Sequence, residues 1–525
     1  MKRFQIFAAF LALAVVLTAC GTAHDETAAN AVAIHLSDSE ITVNGTSAET
    51  DPSHPVYVGN DIVYYEDGKD FTYGEGSAED AHSAQEAAEH TVVHITQPGA
   101  YSISGSLTKG QIAVDLGDDA GENPEAVVTL ILNGVDITCE VAPAIIFYNV
   151  YECGSADADS ASKDVDTSSA GANVIIADGT TNTVSGSYVA RIYKPDSVVL
   201  NESGTEVEDA KKLHKYDGAF YSKMSMNVTG EEENSGVLTI HAENEGLDSE
   251  LHLTINGGII RINSGNDGIN TNEDGVSVTT VNGGELHIRV TGETGEGDGI
   301  DSNGWLVING GTVAAQACSF SGDAGIDSDM GIHINGGTVV ATGHMLDRIE
   351  DGGQNYAVFA FAEKQTGSRP ICLKDENGNS VLDVSPENDY SILVYSSPDL
   401  TAGTYTLWSD GVQLAGQSGG SMGRPGMPGM THGGDKPFEQ PGDQMQNGTT
   451  PPEIPEGMTP PEGGQPFEGQ TPPEGMGQPD MGNPADRPDD SRRPGSQNNG
   501  LLQEATTQFQ ISDGGNLFQG ISRTN

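Results

Sequence analysis

From Thr91 to about Gly343 the chain alternates short runs of Val, Ile, Leu and Thr with polar residues, and Asn-Gly, Asp-Gly or Gly-Gly breaks the runs every few positions. Alternation with period two puts one side of each run in a core and the other in solvent, so the pattern predicts short strands joined by tight turns. Asn-Gly-Gly triplets stand at Asn256, Asn282, Asn309 and Asn335, at intervals of 26, 27 and 26 residues. Regular spacing of this kind predicts stacked repeats. Residues alternate before each triplet, as in Leu306-Val307-Ile308 and Ile332-His333-Ile334. After it, the second and fourth residues are small or apolar: Ile260 and Ile262, Leu286 and Ile288, Val313 and Ala315, Val339 and Ala341.

A third phase-locked element lies between the triplets: Gly246-Leu247-Asp248-Ser249, Gly268-Ile269-Asn270-Thr271, Gly299-Ile300-Asp301-Ser302 and Gly325-Ile326-Asp327-Ser328. Each repeat thus offers three strands in about 26 residues, the content of one coil of a parallel β-helix. Leu130 to Gly134 and Asn173 to Gly179 read as less regular coils. An antiparallel barrel or sandwich is the alternative, but it does not require residues to recur in register. The expected class is all-β, a parallel β-helix solenoid with flanking disordered segments. A nonapeptide calcium roll is excluded by its much shorter period.

The flanks divide as follows. Residues 1–20 combine Lys2 and Arg3, an apolar run from Phe4 to Leu17, and Leu17-Thr18-Ala19-Cys20-Gly21. They are similar to a bacterial lipoprotein signal peptide whose lipobox cysteine is acylated, which implies a lipid on Cys20, anchorage to the cell membrane and surface exposure. Residues 21–90 read as a polar tether and cap with a brief helix within Glu79 to His90; 91–412 form the β-domain, whose last part closes it. Residues 413–500 are rich in Pro, Gly, Gln and Met and predict a disordered tail, because such a tract cannot bury enough apolar surface to offset its ordering entropy. No structure is assigned to 501–525.

Charge narrows the function. The 77 acidic and 23 basic side chains leave a formal charge of −54, which argues against nucleic acid as a partner. The 69 glycines and 25 prolines make long helices improbable. Beyond Cys20, Cys139, Cys153, Cys318 and Cys372 match no zinc spacing, and a Cys139 to Cys153 disulfide is compatible with an extracytoplasmic location.

If the repeats stack at the usual strand spacing of about 4.8 Å, Asp248, Asn270, Asp301 and Asp327 form one outward column of oxygen ligands. Asp267 (or Asn266), Asp298 and Asp323 form a second. Two carboxylates at that spacing repel by about 3.5 kcal/mol at an effective dielectric of 20. Calcium binds oxygen at about 2.4 Å and can bridge such a pair, so Ca2+ is the expected cofactor. Asx side chains also fill turns without any metal. Arg261, His287 and Arg289 on the strands after the triplets, and His333 before one, are candidate carbohydrate contacts on a flat polar face; each is also an ordinary residue for a surface strand. Trp305 and Tyr356 are candidates for stacking on sugars or for packing against a turn.

From Gly246 to Gly343, Gly-Ile-Asp-Ser followed by Ile-Asn-Gly-Gly-Thr-Val resembles a family of bacterial surface carbohydrate-binding proteins. The resemblance is weaker over 91–245 and 344–412 and absent from the tail. It implies a right-handed parallel β-helix similar to pectate lyases, bound calcium, and binding of cellulose or acidic polysaccharides such as polygalacturonate without cleavage. The Asp and Asn positions of the repeated motif carry that expectation, and the protein is expected to act as a monomer. A calcium-dependent polysaccharide lyase is the alternative enzyme, since calcium acidifies the proton beside a uronate and an Arg or Lys removes it; basic residues are scarce and none lies in the Asp columns. A surface adhesin binding a protein is the other alternative.

Overall fold

The computed structural model describes residues 30–419 and 505–524. The lipobox with Cys20 and most of the tail lie outside the described residues. The architecture is all-β. Three sets of strands run through the repeat region as parallel ladders, each rung advanced from the last by one sequence repeat.

The first ladder holds the strands before the triplets, Met226–Gly230, His252–Ile255, Val278–Val281, Trp305–Ile308 and Gly331–Ile334. Its register sets Ile255 beside Val281, Ile308 and Ile334 in turn. The second ladder holds the strands after the triplets, Val237–Ala242, Ile259–Ser264, Glu285–Val290, Thr312–Gln316 and Thr338–Gly343, with Ile260, Leu286, Val313 and Val339 aligned. The third joins Gly218–Ser222, Glu245–Ser249, Ile269–Thr271 and Ile300–Ser302, and a bridge from Ile300 to Ile326 continues it. Aliphatic residues from all three ladders share one apolar core. Burial of this kind contributes about 1.5–3 kcal/mol for each large side chain, and it drives the stacking.

The triplet has a separate reason at each position. Its asparagines stack along the corner, with Nδ2 of Asn282, Asn309 and Asn335 donating to Oδ1 of the asparagine one rung earlier at 2.9, 2.9 and 2.8 Å. A Cβ on the first glycine would meet the carbonyl oxygen of the asparagine one rung earlier, at 2.8, 2.5 and 2.5 Å for Gly283, Gly310 and Gly336. The second glycine is left-handed, with φ between 78° and 87° at Gly258, Gly284, Gly311 and Gly337, where a side chain is strained.

Before the repeats, Thr91–Ile95, Gly110–Asp115 and Ile145–Asn149 extend the third ladder. The stretch read as a tether contributes strands as well: Val32–Leu36 pairs in parallel with Gly99–Leu107, and Val56–Gly59 pairs antiparallel with Thr91–Ile95. Its polar composition reflects one-sided burial of short strands; Ile34 and Leu36 are buried. The brief helix is Ala84–Ala88, started by a capping box between Ser83 and Glu86. Cys139, Cys153, Cys318 and Cys372 are all free thiols, so Cys139 and Cys153 are not paired.

Past the last repeat the pairing changes. Thr338–Gly343 pairs antiparallel with Tyr390–Ser396, which also pairs with Tyr356–Gln365. Ile371–Lys374, Ser380–Val384, Gly403–Ser409 and Val412–Ser418 complete a lobe with its own apolar core. The segment without an assigned structure in sequence joins this lobe: Gly515–Arg523 pairs in parallel with Tyr356–Gln365, and Phe509 and Phe518 are buried against Phe359. No helix among the described residues is long and apolar enough to cross a membrane.

Candidate metal centre

The third ladder positions the acidic groups. Its inward residues Leu247, Ile269, Ile300 and Ile326 belong to the core, so the residues after them turn away from it. Register sets Asp248 beside Asn270 and Asn270 beside Asp301, and Asp327 follows the bridge from Ile300 to Ile326. One carboxylate oxygen each from Asp298, Asp301 and Asp327 lies within 4.8 Å of the other two. The two expected columns therefore converge there.

The column departs from expectation in its burial. Asp248 is fully buried, and Asn270 and Asp267 are only 7% and 9% exposed. Backbone donors hold the second column: the Asp298 amide donates to Asp267 Oδ1 at 2.6 Å, and the Gly297 amide donates to Asp323 Oδ2 at 2.6 Å. Asn270 Nδ2 donates to Glu245 Oε1 at 3.1 Å and Asn272 Nδ2 to Asp248 Oδ1 at 2.7 Å. Glu245 Oε2, Asp248 Oδ2, Asn270 Oδ1 and Asp327 Oδ1 remain buried with no hydrogen-bond partner among the described residues. Orphaned buried acceptors of this kind are rare unless something else meets them.

Electrostatics points the same way. Burial first, then the charges of Asp267 and Asp327, push the Asp298 carboxyl up to about 10. Burial and Asp267 push Asp301 to about 7, and burial with Asp347 and Asp301 does the same to Asp327. Burial raises Asp267 to about 7 even though the Asp298 amide opposes the shift. Glu245 and Asp248 are driven well above the carboxylate range by burial and by acidic neighbours. Among the described residues no lysine or arginine forms an ion pair with Asp267, Asp298, Asp301 or Asp327. At the far end of the ladder Arg191 Nη2 meets Asp217 Oδ2 at 3.0 Å. A cation would supply the missing positive charge, and an all-oxygen donor set of carboxylates and an amide suits a hard cation.

Glu245 and Asp217 are the site residues absent from the sequence expectation. The signal is a repeat extended by one position: Asp217, Glu245, Asp267 and Asp298 each precede the glycine of the third element. The fourth repeat has Ala324 there, and Asp323 one position earlier.

The candidate carbohydrate residues do not assemble into one patch. Arg261 and His287 are register neighbours and exposed on the second ladder. Arg289 lies beside Asn263 rather than Arg261 and is tied to the C-terminal lobe, its Nε donating to Asn388 Oδ1 at 3.0 Å and its Nη1 3.4 Å from Glu387. Trp305 and His333 are half-buried on the first ladder, around the triplet corner. Tyr356 is 3% exposed and donates to the Ile349 carbonyl, so it packs and does not face a ligand. An exposed aromatic close in sequence to the second column is Phe320, 76% exposed and three residues before Asp323; its lack of a repeat partner hid it in the sequence.

A family model described as carbohydrate-binding domain-containing protein matches residues 89–366, just over half of the chain. No curated protein matches it. One solved structure, described as the polysaccharide lyase-like protein from C. thermocellum in a gadolinium derivative, is similar at 20% identity, covering 58% of this chain and 89% of its own, with a TM-score of 0.33.

Proposed function

The chain belongs to the family of carbohydrate-binding domain-containing proteins, and from that premise we propose that it is a calcium-holding lipoprotein that binds polysaccharide at the cell surface without cleaving it. The observation that carries this reading is the group formed by Asp298, Asp301 and Asp327, whose oxygens lie within 4.8 Å of one another with no basic partner among the described residues. The fit is tested by Asp327 Oδ1 and Asp248 Oδ2, buried acceptors without a partner among the described residues that a cation would relieve. Asp298, Asp301 and Asp327 would hold the ion, and Asp267 and Asp323 would orient the backbone beside it. Calcium bound there would neutralise the carboxylates and offer remaining coordination positions to the oxygens of a uronate or a diol.

The in-register ladders, the first of them advancing by 26 or 27 residues per rung, support a parallel β-helix as the architecture, right-handed by the usual hand of parallel crossovers. A rigid face of repeated rungs suits a polymer whose units also repeat. Phe320, exposed three residues before Asp323, would offer the apolar face of a sugar ring a place to stack. Binding is favoured over a lyase because, among the described residues, no lysine or arginine pairs with the acidic group and Arg289 is engaged by Glu387 and Asn388. We place the protein outside the cytoplasm, held by a lipid on Cys20, as a monomer.

The test is retention of the full chain on immobilised polygalacturonate with calcium and with chelator, while absorbance is followed for unsaturated product. The reading expects retention with calcium, release by chelator and no product. Retention that ignores chelator would remove calcium from the account, and unsaturated product would make the protein a lyase.

A further inference from the structure

The C-terminal lobe carries a second feature that the acidic ladder does not explain. On Gly403–Ser409, Tyr405, Leu407 and Ser409 point into the lobe, so Thr404, Thr406 and Trp408 line its outer face. Register adds Cys372 opposite Trp408 and Lys374 opposite Thr406 on the same side. Lys374, Thr404, Thr406 and Trp408, with Asp375, Glu376 and Gln508, line a groove of about 560 Å³, within the range of small-ligand sites. It lies beyond residue 366, where the family match ends.

The chemistry of the groove is specific. Trp408 is the one aromatic side chain lining it. Its indole Nε1 donates to Thr406 Oγ1 at 2.9 Å, which fixes the ring, and the Lys374 ammonium sits 5.3 Å from the ring centre. Lys374 forms no ion pair among the described residues, although Asp375 and Glu376 follow it. Asp375 is occupied in its own turn, accepting from the amides of Asn377 and Asn379. A flat apolar ring bordered by hydroxyl, amide, ammonium and carboxylate groups matches a molecule with one apolar face and a rim of groups that both donate and accept. A sugar ring has that form. Phosphate and uronate are disfavoured by the two carboxylates beside the groove and the charge of −54.

We propose that this groove is a second, metal-independent binding site for an uncharged glycan, with Trp408 as the stacking platform and Thr404, Thr406, Lys374 and Gln508 as its hydrogen-bonding rim. A sugar takes the place of the Lys374 ammonium on the indole, and the freed ammonium donates to ring hydroxyls. The inference shares with the proposed function only the ligand class; it does not depend on calcium.

Trp305 and Trp408 are the chain's two tryptophans, so the full chain carrying Trp305→Phe reports on Trp408 alone. Hydroxyethylcellulose, soluble xylan and glucomannan are added in calcium and in chelator, with indole emission and native affinity-gel migration as readouts. At least one polymer is expected to shift the emission and retard the protein equally in both conditions. Trp408→Ala is expected to weaken that retardation about tenfold while leaving calcium-dependent retention on polygalacturonate unchanged. Should Trp408→Ala alter the melting temperature, Gln508→Ala on the groove rim repeats the test without touching the sheet interior. No response to any of the three polymers, retardation abolished by chelator, or retardation that both variants retain would overturn the proposal. Failure of the acidic centre is read separately, in the polygalacturonate arm.

Discussion

The repeat region and the C-terminal lobe are both β-structure, yet they are built on opposite principles. In the repeat region each residue is stacked on its counterpart one repeat away, so a choice made once is copied down a column. Apolar positions become a continuous core, asparagines become a ladder of hydrogen bonds, and aspartates become a column of charge. In the lobe, antiparallel partners such as Tyr356–Gln365 with Tyr390–Ser396 bring unlike residues together, and a segment from 515–523 closes the sheet across a gap of roughly a hundred residues. Copying concentrates one chemistry; mixing assembles several around a groove. The first suits a cation and a repeating polymer, and the second a single sugar-sized contact.

That contrast can be broken most strongly by pH. Asp267, Asp301 and Asp327 sit at about 7 and Asp298 at about 10 in the folded protein, above about 3.9 for an unfolded aspartate. Between those values the folded state holds more protons than the unfolded one, so stability falls as pH rises. In chelator the repeat region is expected to lose several kcal/mol between about pH 4 and 9, and calcium is expected to flatten the profile above pH 7. Denaturant melts across pH with and without calcium check this; a chelated protein equally stable at both ends would contradict it.

Truncating Phe518, stacked on Phe359 at 5.4 Å between ring centres, should cost the lobe about 3–5 kcal/mol. The repeat core is separate, so calcium uptake by Phe518→Ala is expected to match the wild type in a titration. A smaller effect compares two left-handed glycines. A Cβ at Gly284 would lie 2.6 Å from the Gly258 carbonyl oxygen, whereas Gly378 has open space around it. Gly284→Ala should therefore cost about 3 kcal/mol or more and Gly378→Ala about 1 kcal/mol, measured by chemical denaturation. The smallest is Asn309→Ala, which removes two exposed ladder bonds and should cost about 1 kcal/mol.

The same contrast governs what the sequence discloses. Triplets at fixed spacing reveal the strand phases and the Asp248, Asn270, Asp301 and Asp327 register, because stacking demands like residues at like positions. Burial of that column is not legible: Asp248 reads as a surface residue, and only the packed structure removes it from solvent. Glu245 was within reach, since it occupies the position before glycine that Asp267 and Asp298 share. Strands at Val32–Leu36 and Gly515–Arg523 carry no repeat and pair with distant segments, so composition alone suggests polar flanks. Trp408 and Lys374 are joined only by antiparallel register and have no sequence motif.

The measurement that bears most directly on the central claim is a calorimetric titration of calcium into the metal-stripped full chain, beside an Asp301→Asn, Asp327→Asn double variant. The account predicts saturable uptake by the wild type with release of protons, because Asp298, Asp301 and Asp327 must give up protons to bind the ion. The variant should lose at least about a hundredfold in affinity while its chelated form melts no lower than the wild type, since each substitution removes a repulsion of about 3.5 kcal/mol at most. A wild type that takes up no calcium, or a variant that binds it as tightly, would contradict the claim that this carboxylate column is a metal centre.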